Sequence, residues 1–154
     1  MKFSAREDIE APIDQVYARV TDFATFERQM LRRGAEVRRV DAGQPARVGS
    51  AWDVAFTFRG RDRRLRATVT RMDAPTDVVV AIAANGMDGV TTVELVALSP
   101  RRTRLAVTID LSARSLSARL LLQSLKLAKS NLSNRFKKRV SDFASGIAPS
   151  TRAS

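Results

Sequence analysis

The C-terminal segment, residues 116–147, has the pattern of one long helix with a continuous apolar face. Apolar residues recur there about every 3.6 residues, the period of an α-helix, over about eight turns. The members of this stripe are Ala118, Leu121, Leu125, Ala128, Leu132, Phe136, Val140, Phe143 and Ile147. Four further leucines in the first half of the segment, Leu116, Leu120, Leu122 and Leu127, widen the stripe. A helix of this kind needs a long apolar surface to cover it, so the rest of the chain must supply one.

The middle of the chain has a period of two, which is typical of strands with one buried face. In the clearest segment, Trp52, Val54, Phe56 and Phe58 alternate with small or polar residues. The other strand-like segments are residues 35–42, 65–75, 77–84, 90–98 and 104–113. Short turn sequences such as NGMDG separate them, which favours hairpins and therefore one antiparallel sheet.

The start of the chain predicts one more strand and two short helices. Residues 2–11 form the strand and end at Pro12, which suits the first turn of a helix. Residues 13–23 have apolar side chains at helical spacing, and Asp22 is a suitable N-cap for a second helix that Gly34 would end. The sequence therefore predicts an α+β fold with about seven antiparallel strands and a C-terminal helix against one face of the sheet.

The composition restricts the chemistry that this chain can perform. The 154 residues include no cysteine and no histidine, so disulfides, thiolate metal sites and histidine-dependent nucleophiles are excluded. We therefore predict no metal and no cofactor, and catalysis would depend on Asp, Glu, Lys, Arg, Tyr or water. The first residues are charged, with no signal-peptide pattern, and no apolar stretch is long enough to span a membrane, which predicts a cytoplasmic protein.

Positive charge is concentrated near the C-terminus. The net charge is +11, and residues 113–154 contain nine basic side chains but one acidic one. The basic residues of the C-terminal helix are Arg119, Lys126, Lys129, Arg135, Lys137, Lys138 and Arg139. They form either a solvated face or a surface that attracts anionic lipid headgroups. Nucleic-acid binding is disfavoured because no helix-turn-helix, zinc finger or aromatic RNA-binding strand is found.

A motif at the end of the first strand resembles the START-like superfamily, also called SRPBCC or polyketide cyclase/dehydrase-like. Its residues are Ile9, Ala11, Pro12, Val16, Tyr17, Val20 and Asp22. The resemblance implies a helix-grip fold over residues 1–147, in which a curved sheet wraps around the C-terminal helix, with residues 148–154 as a flexible tail. It also implies a hydrophobic cavity between the sheet and that helix, entered near the two short helices. Members of the superfamily bind lipids, sterols, quinones, polyketides or plant hormones, and some are cyclases.

Twelve residues are candidates for contact with a ligand in such a cavity. They are Tyr17, Met30, Trp52, Val54, Phe56, Phe58, Leu65, Val69, Ile82, Leu121, Leu125 and Glu7. Eleven are apolar or aromatic, like the lining of most small-molecule pockets, but the same pattern is expected of an ordinary core. Glu7 differs, because strand alternation turns its carboxylate inward, where it would need a hydrogen bond, an arginine partner such as Arg71, or a proton.

These features predict a binding protein for a hydrophobic small molecule or lipid, held between the sheet and the C-terminal helix. One alternative is a cyclase or aromatase in which Glu7 acts as an acid or base. Another is a peripheral module that contacts anionic membranes through the basic C-terminal helix. The ligand and the oligomeric state are left open.

Overall fold

Seven strands and four helices form in the part of the chain that the structure describes. This structure is a computed structural model, and it describes residues 1–147 except Ala42 and Gln44. The predicted tail at residues 148–154 lies outside the described residues. The strands are β1 (Lys2–Ile9), β2 (Glu36–Arg39), β3 (Ala51–Phe58), β4 (Arg61–Asp73), β5 (Asp77–Ala84), β6 (Met87–Ser99) and β7 (Arg102–Ala113). The helices are α1 (Ile13–Val20), α2 (Phe23–Arg32), α3 (Leu116–Leu127) and α4 (Lys129–Ile147).

All seven strands belong to one antiparallel sheet with the order β1-β7-β6-β5-β4-β3-β2. Strands β2 to β6 each pair with the next strand along the chain, which gives antiparallel neighbours. Strand β1 pairs with β7, with Phe3 opposite Ile109 and Glu7 opposite Leu105. The predicted helix-grip architecture is confirmed, including the two short helices after the first strand.

Helix α2 begins where the sequence predicts it. Asp22 is the N-cap, and its carboxylate accepts hydrogen bonds from the Thr25 backbone N–H at 3.3 Å and from Thr25 Oγ1 at 2.7 Å. Capping satisfies one of the backbone donors that the first turn leaves without a helical partner. The Thr25 bonds also lower the pKa of the Asp22 carboxyl. The cap therefore sets the start of α2.

The C-terminal helix is interrupted once. Its two parts, α3 and α4, meet at Ala128, whose backbone has φ −104° and ψ 16° and whose N–H donates to the Leu125 carbonyl. The predicted stripe is buried at Ala118 and Leu125 in α3 and at Val140 and Ile147 in α4. Ala144, which was not part of the predicted stripe, is buried as well.

Three of the four leucines expected to widen that stripe are exposed. Leu116 is 73% exposed, Leu120 59% and Leu127 92%, so the expectation that they pack inward is wrong. They follow one another by four and seven residues and therefore form a separate stripe on α3, on the side away from Leu125. Only Leu122 of the four is half-buried.

The core consists of two packed clusters. We call the first the Leu105 cluster: Ile9, Ala11, Val16, Val20, Val78, Leu95, Leu105, Val140, Ala144 and Ile147. It joins β1, β5, β6 and β7 to α1 and to the second half of α4. We call the second the Trp52 cluster: Trp52, Val54 and Val69, with Phe23 and Met30 of α2 packed against it. Buried members of both clusters belong to the sheet, α1 and α4, and neither cluster includes a residue of α3.

Candidate ligand-binding site

The inner face of the sheet, which faces α3 and α4, is packed tightly at one end and loosely at the other. We define its open half as the half-buried apolar residues near the β3–β4 and β5–β6 turns. These residues are Phe56, Phe58, Leu65, Ile82, Ile109 and Leu111. The strand register places them on the same side as the buried Trp52 and Leu105. Solvent therefore still reaches an apolar part of the inner face. The register also places Arg61 and Arg63 on this side, and the Arg63 guanidinium lies 5.6 Å from the centre of the Phe58 ring.

Helix α3 lies against this open half because polar contacts hold both of its ends. Ser115 is its N-cap and accepts from the Ala118 N–H at 3.1 Å, while the Arg114 N–H donates to the Gly86 carbonyl at 2.7 Å. The Arg114 guanidinium also forms a double hydrogen bond with Asp88, at 2.6 and 3.2 Å. These contacts fix the start of α3 beside the β5–β6 turn.

The other end of α3 is held at the β3–β4 turn, where Arg59 donates a hydrogen bond to Ser124 Oγ. Arg59 has a positive φ of 54°, and its guanidinium lies 5.5 Å from the centre of the Phe58 ring. On the inner side of the helix Leu125 is buried, whereas Leu121 and Leu122 are half-buried. The helix thus bridges two turns above the open half without closing it off.

Close approach of α3 to the sheet depends on Gly86. This glycine has φ +77°, a conformation that side-chain-bearing residues rarely adopt. A Cβ atom there would also collide with the Ser115 side chain. Gly86 therefore allows both the tight turn and the start of α3 directly beside it.

Trp52 is a core residue of the region beneath α2. It is 5% exposed, and its ring lies 5.1 Å from that of Phe23 and 5.4 Å from the Arg39 guanidinium. Its Nε1 donates to Glu27 Oε2 at 2.7 Å, which satisfies the one polar atom of the side chain. The indole is thus in contact with an aromatic ring, a guanidinium and a carboxylate.

Several other candidate residues lie in the packed regions with Trp52. Val54 is 7% exposed, Val69 is 0% exposed, and Met30 packs against the same cluster. Tyr17 is half-buried against the Leu105 cluster, and burial raises the pKa of its hydroxyl, with the carboxylates of Asp73 and Asp77 acting in the same direction. Ligand contact by these residues stays a prediction.

Glu7 occupies an inward-facing position in β1, as strand alternation predicts. Its side chain is half-buried, and no residue in the described part of the chain gives it a hydrogen bond or an ion pair. It lines a groove of about 480 Å³ at the edge of the sheet, together with Arg6 and Lys137. The predicted partner Arg71 is elsewhere, because a β-bulge between Val69 and Arg71 turns it to the outside.

Arg71 instead pairs with Asp73 at 2.6 Å and with Asp77 at 4.0 Å. The bulge inserts one extra residue, so the residues after it change face relative to simple alternation. Met72, rather than Arg71, therefore packs against the core. Alternation alone could not place a bulge in this strand.

A second groove, of about 800 Å³, lies on the outer face of strands β2 to β5. Its lining mixes apolar and charged residues. Among the charged ones, Asp53 accepts hydrogen bonds from Arg66 at 2.7 and 2.9 Å and from Arg38 at 2.9 Å. The bond from Arg66 is the main reason that the pKa of the Asp53 carboxyl is lowered. These hydrogen bonds join β2, β3 and β4 across the outer face of the sheet.

A buried polar network stabilises the loop between β2 and β3. Ser50 is 0% exposed, and its hydroxyl donates to Asp41 Oδ2 at 2.9 Å. Arg39 donates to both oxygens of the same carboxylate, at 3.0 and 3.3 Å. These bonds, chiefly those from Arg39, lower the pKa of the Asp41 carboxyl to about 2. The sequence did not predict this network, because Ser50 follows Asp41 by nine residues through an irregular loop and the three residues form no known motif.

Sequence reasoning also left Ile109, Leu111 and Leu122 out of the candidate site, although they border the open half. The alternation in β7 was the available signal for the first two.

Among the described residues, no group of three or more acidic side chains is arranged to hold a metal ion. No helix in that part of the chain is both long and apolar enough to cross a membrane.

The sequence model of one family, described as polyketide cyclase / dehydrase and lipid transport, matches residues 1–147. No curated protein gives a significant sequence match.

Three crystal structures show the same fold at low sequence identity. The aromatase/cyclase Zhui from a Streptomyces species is 14% identical with a TM-score of 0.68, over 99% of this chain and 96% of that one. Protein TTHA0849 from Thermus thermophilus is 13% identical with a TM-score of 0.68, over 96% and 97%. Norcoclaurine synthase from Thalictrum flavum, in complex with dopamine and hydroxybenzaldehyde, is 11% identical with a TM-score of 0.67, over 100% and 89%.

Proposed function

Because the chain belongs to the polyketide cyclase / dehydrase and lipid transport family, we propose that it binds a hydrophobic small molecule or lipid between the inner face of the sheet and the C-terminal helices. The observation that carries this proposal is the open half of the inner face. Phe56, Phe58, Leu65 and Ile82 are apolar, lie on the inner face and are only half-buried. A ligand placed there would remove their remaining apolar surface from water. A cytoplasmic location stays a prediction.

The proposed driving force is burial of apolar surface, worth about 25 cal/mol per Å² removed from water. Part of this gain offsets the loss of ligand freedom, so the net affinity is well below the gross value. The helix α3 would supply the opposite wall through Leu121 and Leu125. We expect the more deeply buried Trp52, Val54 and Val69 to support the sheet side of the site from the packed region beneath α2 rather than touch the ligand.

A charge introduced into the open half is expected to abolish binding of an apolar probe. The probe is N-phenyl-1-naphthylamine, a neutral molecule whose fluorescence rises in apolar surroundings. We expect Ile82→Glu to weaken its binding by at least about tenfold, because a carboxylate must lose water when the probe covers it. Titration of the probe into the purified chain measures the change.

The matched control is Val90→Glu. Val90 is on the adjacent strand, next to the partner of Ile82 in the register, but it faces outward and is 43% exposed. It should bind the probe like the unmodified chain, and circular dichroism verifies that both variants fold. If the unmodified chain binds no probe, or if both variants lose binding equally, the inner face is not the site. Native mass spectrometry of the chain from its own host then identifies the bound compound.

A cyclase function is a second candidate, favoured by Glu7. This half-buried carboxylate has no hydrogen-bond or ion-pair partner among the described residues, and such groups are candidates for proton transfer. Closing a ring in a poly-β-ketone requires a base that removes a proton from the carbon between two carbonyls. For this candidate, a linear poly-β-ketone ester should cyclise faster with the chain than without it, and Glu7→Gln should remove the acceleration while leaving probe binding intact. Equal product formation with and without the chain, measured by mass spectrometry, would exclude the cyclase.

A peripheral contact with anionic membranes was also predicted, through the basic residues of α4. Arg135, Lys137, Lys138 and Arg139 are all exposed, so this attraction would be available to them. Charges of this kind contribute about 1 kcal/mol each near an anionic surface and are weakened by salt. Attraction alone does not fix an orientation on the membrane.

A further inference from the structure

The outer side of α3 is an apolar surface that no other described part of the chain covers. Leu116, Leu120 and Leu127 are 73%, 59% and 92% exposed, and helical geometry aligns them on one side. Isolated exposed leucines are common in soluble proteins and need no explanation. Here three stand in one line on a 12-residue helix, opposite the buried Ala118 and Leu125. The helix is therefore apolar on two opposite sides.

The charges on helix α3 itself are all of one sign. Helix α3 contains Arg119 and Lys126 and no acidic residue, and Lys129 follows directly at the start of α4. Both charged residues of α3 are exposed and lie on the same flank of the leucine stripe. The surface thus combines aligned apolar side chains with adjacent positive charges.

These charges decide between two occupants of the surface. A symmetric dimer would place α3 of one copy against α3 of the other, which brings like charges together. A bilayer that contains anionic lipids instead offers negative headgroups to the basic residues and an apolar layer to the leucines. Helices with this combination of faces lie in the plane of the membrane interface.

We propose that the outer face of α3 docks on bilayers that contain anionic lipids, with Leu116, Leu120 and Leu127 inserted between the headgroups. This surface differs from the basic cluster of α4, because the leucines supply an apolar contact that salt does not screen. Docking would place the open half of the inner face, on the other side of α3, beside the bilayer. That last consequence rests on the proposed function, whereas docking itself does not.

Flotation with lipid vesicles tests the proposal without any ligand for the inner face. The unmodified chain should float with vesicles of phosphatidylcholine and phosphatidylglycerol, and it should bind vesicles of phosphatidylcholine alone more weakly. The triple variant Leu116→Ser, Leu120→Ser, Leu127→Ser should lose at least about tenfold in partitioning to the anionic vesicles, because three apolar anchors are removed. All three residues are exposed, so the variant should fold, and its thermal unfolding verifies this.

The matched control is the triple variant Leu31→Ser, Val96→Ser, Leu98→Ser. These residues are 53%, 55% and 42% exposed and are distant in sequence from α3, so partitioning should be unchanged. Equal losses in both triple variants, or none in the α3 variant, would overturn the proposal. A dimer of the unmodified chain in analytical ultracentrifugation that the α3 variant converts to monomers would also overturn it, since a second copy would then occupy the stripe.

A site-specific label supplies a second measurement. The chain has no cysteine, so Leu120→Cys can be labelled alone with nitrobenzoxadiazole, whose emission shifts to the blue when it enters a bilayer. We expect a blue shift with the anionic vesicles at position 120 and none in the control Leu98→Cys. Vesicle binding without a shift at position 120 would mean that the basic residues act alone and that the leucines do not insert.

Discussion

Replacing Leu105 by alanine is expected to lower the free energy of unfolding by about 2–5 kcal/mol. Leu105 is 1% exposed and lies on the inner face of β7, opposite Leu95 in β6 and Glu7 in β1. Its cluster includes Val140 of α4, so the cavity left by alanine would lie between sheet and helix, where neither layer can easily collapse. Denaturation with urea, followed by circular dichroism, measures the loss.

Leu127→Ala is the control for the same chemical change. Leu127 is 92% exposed, so its variant should stay within about 0.5 kcal/mol of the unmodified chain. The loss in the free energy of unfolding should differ several-fold between the two variants. This difference follows from burial alone, since both variants remove the same atoms. If Leu105→Ala were as mild as Leu127→Ala, the described register of β7 on the inner face would be wrong.

The fold could be predicted from the sequence because its elements repeat in simple periods. Trp52, Val54, Phe56 and Phe58 alternate, and all four lie on the inner face of β3. The turn sequences predicted antiparallel neighbours, and Asp22 predicted the start of α2, as the structure shows. Each of these signals is local, so the amino-acid sequence contains it directly. The pairing of β1 with β7 joins strands that are distant in sequence, so no periodic pattern contains it.

The depth of each inner-face residue could not be predicted in this way. Alternation assigns Trp52 and Phe58 the same face, yet Trp52 is 5% exposed while Phe58 is half-buried. The difference arises because α2 covers the first residue and only α3 approaches the second. Which helix covers which part of a sheet is a tertiary property, and a strand pattern does not contain it.

The leucines of α3 show a related limit. Hydropathy gives Leu116 and Leu125 the same tendency to be buried, yet one is 73% exposed and the other 8%. In the orientation that buries Leu125, polar contacts join the ends of α3 to the sheet, between Arg114 and Asp88 and between Arg59 and Ser124. Those contacts join residues that are distant in sequence, so a helical period cannot reveal which of two apolar sides faces the sheet.

The two apolar sides of α3 could not be assigned from the sequence, but their proposed roles can be tested separately. The same helix borders the open half with Leu121 and presents three leucines to solvent. If both proposals hold, a variant of the leucine stripe should lose membrane binding and keep probe binding, while Ile82→Glu should show the opposite. The two surfaces can therefore be separated although one helix contributes to both.

Replacing Trp52 by alanine is expected to lower the free energy of unfolding by about 3–5 kcal/mol, the upper range for a single buried side chain. The loss includes the contacts with Phe23 and Arg39, and it leaves the Glu27 carboxylate without its indole donor. Trp52→Phe keeps a ring between the same neighbours and should cost about 1.5–3 kcal/mol, the usual value of a hydrogen bond to a charged group. Both losses are measured by urea denaturation. Unfolding is followed by circular dichroism and not by tryptophan fluorescence, because each variant removes the only tryptophan of the chain.

The same pair of variants decides whether Trp52 belongs to the ligand site or to the core behind it. If Trp52 only supports the site from the packed region beneath α2, Trp52→Phe should change the affinity for N-phenyl-1-naphthylamine by less than about twofold. The half-buried Phe56 and Ile82 would then keep their positions. The probe should then respond to Ile82→Glu and not to Trp52→Phe, although the second variant also loses stability. Comparable losses of probe affinity in both variants would place the indole in contact with the ligand. The binding site would then extend beneath α2, and the entrance near the two short helices that the family resemblance implies would be favoured over one beside α3.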